Sequence, residues 1–402
     1  MRILQVISYG YLAGGAEKSV LLLKEYLEKH GHQVRIVASS HRANPPQHHF
    51  ADYEFEEIDT PNRPLLAKAL DHLWYRPSHK ALRQAIAEFT PDIVHFHTMG
   101  QLSPSAIFAI AGTPAILTVH GPEEYTRGLL EWSLPKQLFR AEHITKSQLS
   151  FLGKGYYFYF KFLQRPIYNL AFRRHITRLL APSRYMANVL EKENYRVPIR
   201  QLYNGIELPP HQKIQNRHNL LYVGRLEHVK GVDVLLEALR IVAKQLPTVH
   251  LSIVGDGAIR PQLEQFVHKY QLSKHVTFCG WLKGKAVYKK YAESTAVVIP
   301  SIWPENLPTV CLEALATGRP VIGTKSGGIP ELIDDGTTGR LVAKGSAAEL
   351  ASAIHDVLSW PHLAKVSKAC RASMKSFSIE AFIQNITVLY QQEIRPSSKE
   401  AL

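Results

Sequence analysis

The residues best suited to chemistry lie in the stretch Ala296–Asp335. Glu305 is in its first loop, and Glu313 lies about two turns into the helix that follows. Pro308 suits the first turn of that helix, because a proline lacks the N–H that would be unpaired there. Carboxylates accept hydrogen bonds from sugar hydroxyls, whereas the unpaired N–H groups of a helix start bind phosphate. The stretch therefore predicts groups that bind phosphate next to groups that bind hydroxyls.

Two strand–helix units must position these groups. The apolar runs Ala296–Pro300 and Pro320–Gly323 are predicted as neighbouring buried strands. A second helix, Pro330–Asp335, is predicted after Gly327-Gly328, so that two positive helix ends would open beside two strands. A nucleotide sugar would satisfy both kinds of group. The alternative is an ordinary β–α–β unit with solvated glutamates, and the local pattern leaves both interpretations open.

Length and composition predict a globular α/β protein. The 402 residues are enough for two ordinary α/β domains. Met1–Ile7 is too short for a signal peptide, and no segment approaches the ~20 apolar residues that span a bilayer. The three cysteines Cys279, Cys311 and Cys370 are far apart and form no CxxC pair. They predict a reducing compartment, hence a cytoplasmic protein, and no zinc site.

The net charge of +14 is concentrated in a basic and aromatic segment, Tyr125–Tyr185. It holds eleven lysines and arginines against two glutamates, a local charge of +9. Basic and aromatic residues together favour the headgroup layer of an anionic membrane, which makes the inner membrane face a predicted contact. A core segment with charges on its solvated side is the alternative. No nucleic-acid-binding motif accompanies the charge, so nucleic acid is not a predicted partner. The aromatic residues are Tyr156, Tyr157, Phe158, Tyr159, Phe160, Phe162, Tyr168 and Phe172.

The first half opens as a β–α–β unit with glycines between its first strand and first helix. The strand Arg2–Ile7 is followed by Gly14 and Gly15 and then by the helix Ala16–His30. The spacing does not match GxGxxG. Paired glycines here permit either a close approach of ligand to backbone or a tight turn, and both interpretations stay open.

Histidines mark the carboxyl ends of two strands in this half. His95 and His97 alternate along the strand Asp92–His97 and so share one face. With no third ligand assigned, a packed or hydrogen-bonded pair is favoured over a metal site. His120 ends the strand Ala115–His120, at the edge where open α/β sheets bind ligands. His120 is therefore the predicted functional histidine.

The second half repeats the strand–helix alternation after a poorly periodic stretch at about 194–215. Arg225 and Lys230 flank a short loop after the strand Asn219–Val223, where they would clamp two phosphates or remain solvated cations. Trp281 and Leu282 follow a later strand and are predicted to pack on a base edge. A last amphipathic helix is predicted at 379–391.

The motifs of both halves occur together in one known family. The chain closely resembles the GT-B glycosyltransferases of family 4, the glycogen-synthase-like group 1 type, over nearly its whole length. The matching segments are Gly14-Gly15-Ala16-Glu17, Thr118-Val119-His120-Gly121, Ala181-Pro182-Ser183, Asn204-Gly205-Ile206-Glu207, Gly224-Arg225 with Lys230-Gly231, Gly255-Asp256-Gly257, Phe278-Cys279-Gly280, and Glu305 to Glu313 continuing through Gly327-Gly328-Ile329-Pro330-Glu331.

The resemblance implies two Rossmann-like domains that face an interdomain cleft, with the last helix crossing back to the first domain. The implied organisation is an N-terminal acceptor-binding domain at 1–195 with its basic and aromatic insertion at about 125–175, a linker at 196–215, a C-terminal nucleotide-sugar-binding domain at 216–376, and a C-terminal helix and tail at 377–402.

The resemblance also implies a role for each candidate residue. Arg225 and Lys230 would hold the donor diphosphate, aided by Gly15 and by the helix start from Asn306 through Leu307, Pro308 and Thr309. Glu313 would accept hydrogen bonds from the ribose, Glu305 would face the donor sugar, and His120 would contact that sugar near the acceptor. His120, Glu305, Arg225 and Lys230 are thus the candidate catalytic residues. Asn306 stands where glycine is frequent in the family, so the family pattern does not fix the donor sugar.

The implied reaction is sugar transfer from a nucleoside diphosphate sugar, a UDP-sugar rather than a GDP-sugar, with retention of anomeric configuration. The acceptor would be a glycan or a lipid-linked molecule in cell-surface polysaccharide or glycolipid synthesis. No cofactor and no metal are expected, and the chain has no DxD motif. No second carboxylate is placed as a nucleophile, which favours a substrate-assisted, front-face route. The alternatives are a non-enzymatic membrane or polyanion binder and, less favoured without GxGxxG, a Rossmann oxidoreductase.

Overall fold

The computed structural model describes residues 1–12, 14–40, 49–58, 63–121, 155, 158–193, 195–209, 213–214 and 218–394. These residues form two compact units. The first unit is Met1–Tyr203 together with Ile383–Leu402, and the second is Asn204–Phe382. Much of the basic and aromatic segment, including Tyr156 and Tyr157, lies outside the described residues. Across the described ranges, no helix combines the length and the apolar character that a membrane crossing requires.

The first unit is built on a seven-stranded parallel sheet in the order β3-β2-β1-β4-β5-β6-β7. Its central strands are buried on both faces, as parallel sheets covered by helices require. The last strand lies inside the range predicted as linker. It belongs to the sheet because it pairs in parallel with the strand before it. The strands are β1 Arg2–Tyr9, β2 Gln33–Ser40, β3 Tyr53–Glu56, β4 Ile93–Phe96, β5 Ala115–Thr118, β6 Arg178–Ala181 and β7 Ile199–Gln201.

Helices cover this sheet between the strands. The sequence pattern predicts a mostly helical stretch over residues 65–89 with a break at Pro77, but the break does not fall at Pro77. The break falls at Trp74 and Tyr75, where the N–H of Tyr75 donates to the hydroxyl of Ser103 at 3.0 Å rather than to a helical carbonyl. Pro77 instead occupies the first turn of the following helix, where it costs no hydrogen bond. The helices are Gly15–Lys29, Leu65–Leu73, Arg76–Phe89, Ser103–Phe108, Arg165–His175 and Arg184–Glu193, with a π-helical turn at Phe160–Gln164.

The second unit is built on a six-stranded parallel sheet in the order β10-β9-β8-β11-β12-β13. The predicted alternation of strands and helices is confirmed. The strands are β8 Asn219–Val223, β9 His250–Val254, β10 Val276–Gly280, β11 Ala296–Ile299, β12 Val321–Thr324 and β13 Gly339–Val342. The α-helices are Val232–Gln245, Arg260–Lys269, Lys285–Glu293, Thr309–Ala316, Ala347–Leu358 and Leu363–Ser373, and 3₁₀ turns lie at His228–Lys230, Ile329–Glu331 and Lys375–Phe377.

The prediction of a helix at Pro330–Asp335 is wrong. The structure has only the single 3₁₀ turn Ile329–Glu331 there. The chain must turn at once to enter β13, and the carbonyl of Asp334 accepts from the N–H groups of Thr337 and Thr338 at 3.0 and 2.8 Å. Too few residues remain for an α-helix between the two glycines and this turn.

The strand order of the second unit creates a switch point between β8 and β11. The chain proceeds outward from β8 to β9 and β10 and then returns to place β11 on the other side of β8. The loops that leave β8 and β11 therefore run in opposite directions, and the space outside their carboxyl ends is where open α/β sheets bind ligands. The same reversal occurs in the first unit between β1 and β4.

The helix Thr309–Ala316, which carries Glu313, is fixed by a buried guanidinium. Arg319 is fully buried and donates to the carbonyls of Tyr291 and Ala292 at 2.8 and 2.9 Å, and to the carbonyl of Thr317 at 3.2 Å. These carbonyls lie at the carboxyl ends of two helices, where a cation is stabilised by the helix dipoles. Arg319 thus links the helix Lys285–Glu293 to the helix of Glu313.

The last helix, Ile379–Ile394, continues from the second unit into the first. Within the first unit, Tyr390 is fully buried and Glu393 pairs with Arg178 at 2.5 Å. The predicted return of the C-terminal helix to the first domain is therefore confirmed.

Candidate functional site

Three loops meet at the carboxyl ends of β8, β11 and β12. The N–H groups of Ile302 and Trp303 both donate to the carbonyl of Val229 at 3.0 Å, which joins the β8 and β11 loops. The N–H of Gly328 donates to the carbonyl of Glu305 at 2.7 Å, which joins the β11 and β12 loops. The loop that carries Glu305 is thus held between its two neighbours by backbone hydrogen bonds.

Two glycines allow this close approach. Gly231 has φ +67°, and a Cβ atom there would lie 2.0 Å from the carbonyl oxygen of Pro300. Gly327 has φ +58°, and its Cβ would lie 2.0 Å from the carbonyl oxygen of Glu305. Neither backbone conformation nor space permits a side chain at these positions.

Lys230 and Glu305 form an ion pair across the first two loops. Lys230 Nζ lies 2.6 Å from Glu305 Oε1, and the hydroxyl of Ser301 donates to the same oxygen at 2.5 Å. The two charged side chains are 22% and 16% exposed, so a ligand can reach them. The structure therefore brings together two candidate residues that are 75 positions apart.

Arg225 lies in the same region, on the β8 loop. Its guanidinium pairs with Glu227 at 3.1 Å and is half-exposed. The buried phenol of Tyr222 donates to the carbonyl of Arg225 at 2.8 Å. Burial raises the pKa of Tyr222, and the negative charges of Glu305 and Glu227 raise it further, while Arg225 lowers it. Arg225 and Glu305 thus both influence the pKa of the buried Tyr222 hydroxyl. That hydroxyl keeps its proton and fixes the backbone of the β8 loop through its hydrogen bond.

The helix start after β11 is partly buried, and the helix is anchored further along by a side-chain contact. Asn306 and Leu307 are buried, Pro308 precedes the helix, and Thr309 is its first residue. The side chain of Glu313 is partly exposed, and its Oε2 accepts a hydrogen bond from the hydroxyl of Tyr291 at 3.0 Å.

Trp281 and Leu282 follow β10, which is the edge strand of the sheet. Trp281 is 61% exposed, and Leu282 is partly exposed. The N–H of Gly255 donates to the carbonyl of Gly280 at 2.8 Å, which fixes the backbone before Trp281. The packing of these two residues on a base edge stays a prediction.

In the first unit, His120 follows β5 and belongs to a row of three adjacent histidine rings. His120 Nε2 lies 3.2 Å from His97 Nδ1, and the His95 and His97 rings are 4.0 Å apart. His95 bonds the hydroxyl of Tyr390 through Nδ1 and that of Thr118 through Nε2, both at 2.7 Å. The expected packed or hydrogen-bonded pair of His95 and His97 is thus a packed pair within a larger network, whose anchor Tyr390 sequence reasoning missed.

The three histidines are neutral at physiological pH. Removal from water lowers the pKa of His95 to about 3 and that of His120 to about 4, and lowers the pKa of His97 well below its usual value. His120 therefore offers a neutral imidazole rather than a cation.

Gly15, the other candidate of this unit, is the exposed first residue of the helix Gly15–Lys29. Within the described ranges, no cluster of three metal-ligating side chains has the geometry of a metal site.

Two family models match the chain. The model for "Glycosyl transferases group 1" matches residues 206–373, and the model for "Glycosyltransferase Family 4" matches residues 13–208.

Curated relatives are similar over different shares of their length. Glycogen synthase of Mycobacterium tuberculosis is 25% identical over 94% of this chain and 91% of its own. The alpha-D-kanosaminyltransferase of Streptomyces kanamyceticus is 29% identical over 46% of this chain, and the match spans about half of its own length, 48%.

Solved structures share the fold. Sucrose-phosphate synthase from Thermosynechococcus elongatus superposes with a TM-score of 0.73 at 20% identity and covers 98% of this chain and 99% of its own. HepE of Anabaena superposes with a TM-score of 0.70 at 19% identity and covers 98% of this chain and 100% of its own.

We predict that Gly231→Ala lowers the free energy of unfolding more than a matched glycine substitution elsewhere. Gly345 also has positive φ, +75°, but no atom lies within 4 Å of a Cβ placed there. Gly345→Ala should cost about 1 kcal/mol in backbone strain alone. Gly231→Ala should cost at least about 2 kcal/mol more, because the carbonyl of Pro300 must move. Urea unfolding measures both, and equal losses would show that the loops do not need this contact.

We predict that the histidine row makes the protein less stable as pH falls. The folded pKa values lie below the unfolded value of about 6.5, so the unfolded chain takes up protons first. The free energy of unfolding should be greatest above about pH 6.5 and should fall toward pH 4, by up to about 1.4 kcal/mol per pH unit for each histidine. Urea unfolding at pH 7, 6 and 5 tests this. His95→Gln should flatten the dependence, whereas the exposed His268→Gln should not.

Proposed function

We propose a specific reaction for this chain, which belongs to the group 1, family 4 glycosyltransferases and has their GT-B fold of two parallel-sheet α/β domains. Glycosyl transfer, an activity of class EC 2.4, is given by the family. The proposed reaction moves a sugar from a nucleoside diphosphate sugar to a glycan or lipid-linked acceptor, with retention of anomeric configuration. The observation that carries it is the Lys230–Glu305 pair at the switch point of the second sheet.

The diphosphate would bind where Lys230, Arg225 and the helix start at Thr309 converge on one edge of the sheet. Breaking the anomeric C–O bond leaves negative charge on the departing diphosphate. Fixed cations and unpaired helical N–H groups stabilise such charge, and each good contact is worth about 3–4 kcal/mol in comparable sites. A diphosphate would compete with Glu305 for the ammonium of Lys230, which would release the carboxylate to accept hydrogen bonds from the donor sugar.

The proposed donor is a UDP-sugar. HepE of Anabaena was crystallised with UDP and with UDP-glucose, and TarM of S. aureus was crystallised with UDP. These neighbours support a uridine nucleotide for this chain as well. The half-buried carboxylate of Glu313 would accept hydrogen bonds from the ribose hydroxyls.

Retention is proposed to follow a front-face route. Glu305 is held by Lys230 and Ser301 through one oxygen, which suits a hydrogen-bond acceptor better than a free nucleophile. Without a nucleophilic carboxylate, the departing diphosphate oxygen would itself take the proton of the incoming hydroxyl. No cofactor or metal is part of the proposal. The roles of His120 and Gly15 on the donor stay predictions from the resemblance.

The family sets aside the two alternatives considered from the sequence. A binder without enzymatic activity and a Rossmann oxidoreductase are both inconsistent with membership in a glycosyltransferase family.

A peripheral contact with an anionic membrane, at the cytoplasmic face, is part of the proposal. The described part of the basic and aromatic segment divides into two faces. Tyr168 and Phe172 pack in the core, as the alternative interpretation expected, whereas Phe158 and Leu163 are 61% and 50% exposed. From 158 to 185 the chain has six lysines and arginines and no acidic residue.

The neighbouring helix Leu65–Leu73 adds to this surface. The hydroxyl of Tyr159 donates to the carbonyl of Ala69, which ties Tyr159 to this helix, and Leu66 and Leu70 are exposed. Apolar side chains beside cations suit the headgroup layer of an acidic bilayer, and they support a lipid-linked acceptor in cell-surface glycan synthesis.

We predict that Lys230→Ala lowers kcat/KM for the donor about 100- to 1,000-fold without unfolding the chain, because it removes a cation from the leaving group. Lys289→Ala is the matched control, since that lysine is 77% exposed on the same unit. Transfer is measured by release of UDP from a panel of UDP-, GDP- and ADP-sugars, and the anomer of the product is read by NMR. Full activity of Lys230→Ala, or an inverted product, would overturn the proposal.

We predict that the chain binds vesicles of phosphatidylcholine with phosphatidylglycerol more tightly than vesicles of phosphatidylcholine alone. Phe158→Asp with Leu163→Asp should lower the bound fraction in a sedimentation assay at least fivefold, because apolar contacts are lost and negative charges are added. Leu208→Asp with Val388→Asp introduces the same charge at exposed apolar positions elsewhere and should have little effect. Equal losses for the two double variants would contradict the assigned surface.

A further inference from the structure

Tyr291 has a buried hydroxyl that points at Glu313, a residue proposed to bind the nucleotide. It lies on the helix Lys285–Glu293, is fully buried, and donates from its phenol oxygen to Oε2 of Glu313 at 3.0 Å. The resemblance to known glycosyltransferases assigned a role to Glu313 but none to Tyr291. The contact joins two helices that are separated by β11 and its loop.

The phenol remains a proton donor over the whole physiological range. Burial raises the pKa of Tyr291 well above its usual value, and the carboxylate of Glu313 raises it further. A neutral hydroxyl that donates to a carboxylate makes a charge-assisted hydrogen bond, which is about twice as strong as a neutral one. Because the fully buried phenol is excluded from solvent, it keeps this hydrogen bond in the folded protein.

Tyr291 is itself held in place, so the bond constrains Glu313 rather than the reverse. The carbonyl of Tyr291 accepts from Arg319 Nε at 2.8 Å and from the hydroxyl of Ser294 at 2.8 Å. Arg319 and Ser294 are both buried. The carboxylate of Glu313, by contrast, is partly exposed at the end of a flexible side chain whose terminal torsion is broad.

We propose that Tyr291 is a positioning residue for nucleotide recognition: its hydroxyl fixes the carboxylate of Glu313 in the orientation that accepts hydrogen bonds from the ribose of the nucleoside diphosphate. The inference rests on the proposed function, because it needs Glu313 to contact the ribose. A carboxylate that is already oriented loses less conformational freedom when the nucleotide binds.

The proposal predicts a loss that depends on the ribose hydroxyls. Tyr291→Phe removes one oxygen atom and keeps the ring that packs in the core. UDP should bind this variant about tenfold more weakly than wild type, whereas 2′,3′-dideoxy-UDP, which has no hydroxyl for Glu313, should bind both equally. In transfer assays the KM for the UDP-sugar should rise while kcat changes little, since the bond acts on binding.

Calorimetric titration of the full chain with UDP and with 2′,3′-dideoxy-UDP tests this. Tyr270→Phe makes the same chemical change at an exposed ring of the same unit and should leave both affinities unchanged. Glu313→Gln should lose the preference for UDP, and Tyr291→Phe should have no further effect in that background. Thermal unfolding of each variant verifies that it is folded.

The two hypotheses fail in different ways. If wild type binds UDP and 2′,3′-dideoxy-UDP equally, Glu313 does not read the ribose and the assigned nucleotide site is wrong. If wild type prefers UDP and folded Tyr291→Phe keeps the full preference, the ribose contact stands and the role of Tyr291 is overturned. A matched loss for both nucleotides would show that Tyr291 only supports the fold.

Discussion

The second unit depends on how closely two loops approach each other outside β8 and β11. Lys230 can reach Glu305 only because Gly231 lies against the carbonyl of Pro300 and the carbonyl of Val229 accepts two N–H groups of the β11 loop. That contact places a cation, a carboxylate and a helix start on one edge of the sheet. In a βαβ protein this edge is solvent-facing and variable, so the backbone hydrogen bonds rather than the core fix the relative positions of the charged groups. The proposed transfer from a diphosphate would depend on such fixed charges, because dipoles that must reorganise lose much of their effect.

The first unit places its polar groups differently. His95, His97 and His120 form a row in a region from which water is largely removed, and the row ends at the hydroxyl of Tyr390 on the last helix. A charged imidazole would be costly there, and all three pKa values shift in the direction that avoids it. The last helix therefore does more than cover apolar surface. Through one hydrogen bond it sets the position of His95, whose ring packs against His97, and His97 in turn stacks on His120.

Much of the fold followed from the sequence because strand and helix periods are local. Except for β7, which lies in the range predicted as linker, the strands of both sheets and most helices fell where apolar runs and turn residues placed them. Two helices were also misjudged. The helix break at Trp74–Tyr75 depends on the hydroxyl of Ser103, which lies 28 residues away and leaves no local trace. The expected helix at Pro330–Asp335 is cut short by the turn into β13, which only the sheet order requires.

The candidate site was likewise predictable from the sequence only in part. Lys230, Glu305 and Glu313 were identified because each follows a strand, but the direct contact between Lys230 and Glu305 depends on β8 lying beside β11. Periodicity does not encode that neighbourhood. Ser301 was missed although it lies four residues before Glu305, and Tyr291 was missed because a tyrosine in an amphipathic helix resembles any core residue.

The buried guanidinium of Arg319 has a mechanical consequence. Since its hydrogen bonds join the carboxyl ends of the helices that carry Tyr291 and Glu313, we expect thermal motion to displace the two helices together. Vibrations that flex the surrounding loops would then leave the spacing of that tyrosine and glutamate nearly constant. The surface proposed to bind the nucleoside would keep its shape while the neighbouring loops, proposed to bind the sugar and phosphates, adjust around it.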